Sequence, residues 1–285
     1  MSIRLFIHAG THKTATTAFQ GVCFENRELL ATWGVIYPFA RQHSELAHQL
    51  QRGELNNLRC LLDLIRKKFD DDTTLLLSGE DFENVLVDDE MAITLENEVA
   101  KRGFAPVEWY FVFRNQVDYF HSIYAQLCKQ GVVLDRRKIL SEIVDKGHFS
   151  VSHWDFDYNF AFDYDRYVED FATTRPDRVY AERFDSFRSP FVGAPLFQRL
   201  GIGEAQLAHL QARAVAVGAP NQRADPVEVE AKYCFNELGI KNDADMEAKR
   251  IAFQRLLATR LKNLRKDMAR AETELAAKFK DTAFF

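Results

Sequence analysis

The richest run of chemistry-bearing side chains is His8-Ala9-Gly10-Thr11-His12-Lys13-Thr14-Ala15-Thr16-Thr17. Small residues and hydroxyls surround one lysine, directly after the apolar run Ile3 to Ile7 and directly before a segment that places Phe19, Val22 and Leu29/Leu30 near helical spacing. A strand, a turn and a helix start are therefore expected. Amides at a helix start have no intrahelical acceptor, and the helix dipole is positive there. Together they attract anions, phosphate above all. Lys13 adds a point charge, and Thr14, Thr16 and Thr17 add hydroxyl donors. The run is not a Walker A loop, which needs four residues between its first glycine and its Gly-Lys pair. Only Thr11 and His12 separate Gly10 from Lys13, and Ala15 follows.

The elements that would position this loop follow from the rest of the chain. Residues 3–8 read as a first strand and residues 14–30 as a helix. Residues 74–78 form a second strand, an apolar run suited to burial on both faces. Residues 90–102 read as a helix ended by Gly103, residues 107–113 as a third strand, residues 117–129 as a helix and residues 177–182 as a fourth strand. Strands alternating with helices imply an α/β fold, a parallel sheet flanked by helices. Residues 134–166 fit that rhythm poorly. They carry the aromatic and acidic run His153-Trp154-Asp155-Phe156-Asp157-Tyr158-Asn159-Phe160, read as an insertion covering the ligand edge of the sheet or as a loop pinned to the core. From about residue 244 to 280 a long charged helix is expected. Its seam of Leu257, Leu261, Leu264, Met268, Ala271 and Leu275 is short for a dimeric coiled coil and favours packing on the protein's own body.

The run Gly10-Thr11-His12-Lys13-Thr14-Ala15-Thr16-Thr17 resembles the 5′-phosphosulfate loop of sulfotransferases that use 3′-phosphoadenosine 5′-phosphosulfate (PAPS), in their bacterial branch. Ala15 stands where the family usually has glycine; alanine is compatible with a helical start. The resemblance implies one sulfotransferase-like α/β domain over residues 1–285, PAPS as donor, PAP as product, and no metal. It implies that Gly10 to Thr17 hold the 5′-phosphosulfate, with Lys13 catalytic. It also implies a second anion site, an arginine ending a strand with a serine about two turns into the next helix. Arg114 and Ser122 match, and a guanidinium forks well onto a phosphate. Family members often close a loop over the 3′-phosphate near Asn221-Gln222-Arg223, which makes Arg223 a candidate. Weaker likenesses lie at Asp163-Tyr164, at Arg178 to Phe184 and at Glu274 to Phe279.

A sulfuryl acceptor must lose a proton, so the site needs a base. The second strand ends in Ser78-Gly79-Glu80-Asp81, and ligands of open parallel sheets sit beyond the carboxyl ends of strands. Related enzymes often place Glu or His here, and partial burial tunes a carboxylate for the task. Glu80 is the first candidate. His12, inside the loop, competes with it, and His43 and His48 are candidates on the acceptor side.

Composition sets the outer bounds. The chain has 285 residues, 47% hydrophobic and 28% charged, enough for a sizeable core. Its 37 basic and 42 acidic residues give a net charge of −5, which argues against sequence-independent nucleic-acid binding but not against one local anion site. The 24 Phe imply a large aromatic core. No stretch is long and apolar enough for a membrane helix or a secretory signal, and Cys23, Cys60, Cys128 and Cys234 lack paired spacing, so a reducing, cytoplasmic setting is expected. Two rival functions stay open: a P-loop-like kinase, with Asp81 the nearest magnesium ligand, and a non-catalytic nucleotide-binding or scaffold protein. The acceptor, a glycan or a small molecule, is not readable.

Overall fold

The computed structural model describes residues 2–153, 156–214 and 224–283. In chain order the elements are β1 (Arg4–His8), α1 (Thr16–Glu25), α2 (Arg27–Thr32), β2 (Val35–Ile36), α3 (Ser44–Gln51), α4 (Asn56–Lys68), β3 (Thr74–Ser78), a 3-10 helix (Glu80–Leu86), α5 (Glu90–Lys101), β4 (Glu108–Phe113), α6 (Gln116–Lys129), α7 (Arg136–Lys146), β5 (His148–His153), β6 (Phe156–Ala161), α8 (Tyr164–Thr173), β7 (Val179–Arg183), α9 (Phe184–Phe187), α10 (Ala194–Arg199), α11 (Glu204–Ala214), α12 (Pro226–Glu237) and α13 (Asp243–Lys278). By its contacts the chain divides into two compact units. One comprises Met1–Arg114, Ser150–Pro220 and Ala283–Phe285; the other comprises Asn115–Phe149 and Asn221–Thr282.

The first unit is built on a five-stranded parallel sheet in the order β2-β3-β1-β4-β7. Its strands are nearly continuous apolar runs because both faces are covered. Side chains alternate across a strand, so the two faces separate by parity. Phe6, Leu76, Tyr110 and Val112 join Phe19, Val22 and Leu30 of α1 and α2, and Phe187, Leu196, Phe197 and Leu210 of α9 to α11, in one buried cluster. On the other face Trp109, Phe111 and Phe113 stack along β4, with ring centroids 6.4 and 6.1 Å apart. Phe171 and Tyr164 of α8 cover this ladder, Phe171 edge-on and Tyr164 stacked on Phe113 at 4.2 Å. Each such ring, fully buried, contributes about 1.5–3 kcal/mol. The many phenylalanines thus serve both faces of the sheet.

The chain runs from β1 to β3 on one side and to β4 on the other, so the carboxyl end of β1 lies where the connections diverge. Such a point leaves a crevice at the sheet edge, and it is where ligands of open α/β sheets bind. The expected strands and helices appear within a residue or two. One expected helix, 14–30, is broken at Asn26, whose side-chain amide donates to Val22 O at 2.8 Å and competes with the backbone ladder.

Residues 134–166 prove regular rather than irregular. They contain α7, the two-stranded β5-β6 sheet and the start of α8. β6 is fastened to the rest of the first unit through the 3-10 helix and α3: the Asn159 amide donates to Asn84 Oδ1 at 2.7 Å, the Ala161 amide to Glu83 Oε1 at 3.1 Å, and Gln51 bonds both polar groups of the Asp157 backbone.

The second unit is helical. α13, with 36 residues, packs on α6, α7 and α12 and buries Phe253, Ala271 and Leu275. Of the seam read from sequence, Ala271 and Leu275 are buried and the other four residues are half-buried. No helix among the described residues is long and apolar enough to cross a membrane.

Candidate functional site

Local chain geometry builds the site first. After β1, the Ala9 and Thr11 amides extend the sheet by donating to Tyr110 O and Val112 O at 2.9 and 3.2 Å. The Thr11 hydroxyl donates to Val112 O at 2.8 Å, and the Thr14 hydroxyl donates to Thr11 O. Thr11, Thr14 and Thr16 are buried and Thr17 is exposed. The loop is therefore held by its own hydroxyls. Gly10 is required by close approach, since a Cβ there would stand 2.9 Å from His8 Nε2 and 3.1 Å from Thr16 Oγ1.

Two loop residues carry left-handed backbone, Lys13 at φ 67° and Ala15 at φ 62°, ψ 21°. Ala15 thus precedes helix α1 in a glycine-like conformation, where the sequence reading took it as part of the helical start. The alternation at 13, 14 and 15 turns successive amides the same way and makes an anion-binding nest. The Thr14, Ala15, Thr16 and Thr17 amides have no acceptor among the described residues, as befits the open end of α1. Arg114, at the end of β4, donates from Nη1 to Lys13 O at 3.4 Å and lies 5.4 Å from the Phe184 ring centroid; the Tyr164 hydroxyl donates to Arg114 O at 2.9 Å. Arg114 and the loop are therefore neighbours, brought together across 101 residues of chain.

The 3-10 helix after β3 supplies the acidic wall. Glu80 Oε2 lies 3.0 Å from His12 Nδ1, Asp81 Oδ1 lies 3.7 Å from His12 Nε2, and Glu83 Oε2 accepts the His12 amide at 3.2 Å. Burial alone would disfavour a charged His12. The hydrogen bond to Glu80 and the charges of Glu80, Asp81 and Glu83 outweigh it and raise the pKa to about 9. His12 is an imidazolium at neutral pH. Asp81 also meets His48 Nε2 at 3.4 Å. Burial works against the Asp81 carboxylate, but its bonds to His48 and Ser44 and the His12 charge hold it below the usual range. The His12 ring lies 5.3 Å from Phe160 and 6.2 Å from Tyr158, and His48 lies 6.2 Å from Tyr158. Two rings of the aromatic run thus border the His12–Glu80 pair.

The other histidines differ. His8 is buried beneath the loop, bonded through Nδ1 to Ser78 Oγ at 2.8 Å, and desolvation lowers its pKa to about 3. His43 accepts the Ser78 amide at Nδ1 (3.0 Å) and donates from Nε2 to Pro38 O (3.3 Å); burial lowers it to about 4. It is a neutral brace between the end of β3 and the loop at Pro38, and only His48 of the expected acceptor-side pair borders the site.

Lys13, Glu80, His12, Arg114 and the threonines therefore share one sheet edge. Ser122 belongs to the second unit, on α6, where its hydroxyl donates to Asp118 O at 2.7 Å. Arg223 and Trp154 lie outside the described residues. Sequence reading missed Glu83, which ties the loop to β6 while buried. Its signal is faint: an acid three residues after Glu80, on the same side of a 3-10 turn.

No protein-family model matches the chain, and no curated protein sequence matches it. Among solved structures the chain is similar to the crystal structure of a sulfotransferase from Alicyclobacillus acidocaldarius, with a TM-score of 0.44 and 14% identity over 87% of this chain and 96% of that one.

Proposed function

We propose that the protein is a PAPS-dependent sulfotransferase that moves a sulfuryl group to an acceptor hydroxyl on a carbohydrate or small molecule. The observation that carries this reading is the loop after β1. Amides from Thr14 to Thr17, without acceptors among the described residues, open at a strand–helix junction next to Lys13, in a run that resembles the phosphosulfate loop of that family. These groups would hold the donor's 5′-phosphosulfate. Arg114 would take the 3′-phosphate.

The chemistry assigned to the chain is positioning and charge stabilisation. Glu80 takes the acceptor proton as the acceptor oxygen bonds to sulfur and the bond from sulfur to the 5′-phosphate oxygen breaks. The electron pair leaves with PAP, and Lys13 and the loop amides stabilise the charge that develops there. A protonated His12 cannot serve as base; it holds Glu80 by a charge-assisted bond and adds a second cation beside the loop. Tyr158 and Phe160 give the acceptor an aromatic wall. Such rings stack on sugars and on aromatic alcohols alike.

An acceptor screen with PAPS, read by mass spectrometry, tests the reading. Products gaining one sulfuryl group support it. A chain stabilised by ATP with magnesium but not by PAP overturns it in favour of a kinase, and PAP binding without transfer to any acceptor favours a non-catalytic nucleotide binder. Glu80→Gln should lower turnover by about 10²–10⁴ while leaving PAP binding within a few-fold. Normal turnover would remove Glu80 as the base.

A further inference from the structure

The long helix of the second unit changes character between Glu247 and Asp267. Residues 248–266 contain seven Lys and Arg and no Asp or Glu, in a chain whose net charge is −5. Three of the seven are engaged. Lys249 donates to Leu238 O at 2.6 Å, Arg250 meets Glu247 at 3.9 Å, and Arg260 turns inward to the buried Glu230. The other four, Arg255, Lys262, Arg265 and Lys266, are exposed and form no ion pair among the described residues. Like charges three and four residues apart on a helix repel, so Lys262, Arg265 and Lys266 destabilise the isolated chain.

Helical spacing puts these groups on one face. Ile251, Arg255, Ala258, Lys262 and Arg265/Lys266 follow one another by three or four residues, opposite the side that buries Phe253, Ala271 and Leu275. The row from Ile251 to Lys266 runs roughly 22 Å along an unbroken helix. Ile251 is 61% exposed, an apolar side chain at the end of a cationic row. Acids bound the face and do not interrupt it. Glu247 is paired with Arg250, the half-buried Asp267 is held by Arg137 at 2.8 Å, and the exposed Glu272 lies beyond Lys266. A second copy laid face to face would set the same four cations against one another. A free polyanion would meet the cations but not Ile251, and the face offers no aromatic ring on which bases could stack. An anionic bilayer meets both, since its headgroups neutralise the cations and its interface takes the isoleucine.

We propose that this outer face of α13 docks the protein on an anionic lipid bilayer. The long stems of Arg255, Lys262, Arg265 and Lys266 carry their charges out to the headgroups, the small Ala258 lets the helix lie close, and Ile251 enters the headgroup boundary. The attraction is local. A net charge of −5 is repelled by such a surface as a whole, so only a concentrated cationic face overcomes it. The inference rests on the second unit alone and not on the sulfotransfer reading.

Vesicle co-sedimentation of the full-length protein tests this, with phosphatidylcholine vesicles that lack or contain about 30% phosphatidylglycerol. The protein should bind the anionic vesicles and not the neutral ones, and should be released as salt rises from about 0.1 to 1 M. The triple variant Arg255→Gln/Lys262→Gln/Lys266→Gln should weaken binding by about tenfold or more. A control that removes the same charge from the exposed end of α4, Arg66→Gln/Lys67→Gln/Lys68→Gln, should bind within about twofold of wild type. Ile251→Ser should weaken vesicle binding by about threefold or more. All these side chains are exposed, and circular dichroism checks that each variant is folded. No binding to anionic vesicles at millimolar lipid, equal binding to neutral ones, or an equal loss in the α4 control would each overturn the proposal. So would full vesicle binding by Ile251→Ser together with tighter binding of inorganic polyphosphate, which would assign the face to a free polyanion.

Discussion

Ala15 offers a sharp physical test of the loop, because its backbone is left-handed (φ 62°, ψ 21°) with no glycine to relieve it. For an L-residue that conformation costs about 1–2 kcal/mol against the right-handed one. Glycine removes the cost but loses about 0.5–1 kcal/mol more backbone entropy on folding. Ala15→Gly should therefore stabilise the protein by about 0.5–1 kcal/mol, which for a unit of this size raises Tm by about 1–4 °C. Ala15→Val should move the other way, since a β-branched side chain is a true outlier at positive φ. Gly10 gives the opposite contrast within five residues of chain. A methyl group there would strike the His8 ring, which lies between Phe19 at 4.6 Å and Phe187 at 5.2 Å and has little room to retreat. Gly10→Ala should cost about 1–3 kcal/mol. Thermal melts of the three variants against wild type decide the matter. A glycine at 15 that lowers Tm, or a valine tolerated as well as alanine, would refute the claim that the loop is held in a nest.

Thr14→Val keeps the shape of a buried side chain but leaves Thr11 O without its hydroxyl donor, so urea unfolding should show a loss of about 1–2 kcal/mol. His12 links stability to pH. Its folded pKa of about 9 lies above the ordinary 6.5, so its contribution is complete below about 6.5 and is lost as the pH rises toward 9. The stability advantage of wild type over His12→Gln, measured by urea unfolding at several pH values, should shrink across that window; an advantage that grows with pH would contradict the ion cluster. Arg114→Ala should weaken PAP by about tenfold or more in calorimetry, as loss of a charged hydrogen bond does.

What was legible in the sequence depended on local pattern. The parallel sheet follows from buried apolar runs such as Thr74 to Ser78 and Trp109 to Phe113 alternating with helical periodicity, and the loop after β1 announces itself by Gly10, Lys13 and its threonines. Four things were not legible. β2 has only two residues, Val35–Ile36, too short to show a period. The left-handed turns at Lys13 and Ala15 sit on residues that ordinarily avoid them, so only the packed loop reveals them. The charge on His12 arises because the turn after β3 brings Glu80, Asp81 and Glu83 to a residue some 70 positions earlier, and tertiary proximity of that kind leaves no spacing to read. The aromatic run around Tyr158 looked irregular because its backbone is held by the side chains of Asn84 and Gln51, a pairing that leaves no apolar period to read.

The central claim is that the loop from Gly10 to Thr17 binds the nucleotide of PAPS through its amides and Lys13. The direct measurement is a calorimetric titration of PAP into wild type and Lys13→Ala, with circular dichroism to show that both are folded. One PAP should bind per wild-type chain, and Lys13→Ala should weaken it by about tenfold or more. Wild type that takes up no PAP at millimolar concentration, or binds it equally well without the lysine, would contradict the account.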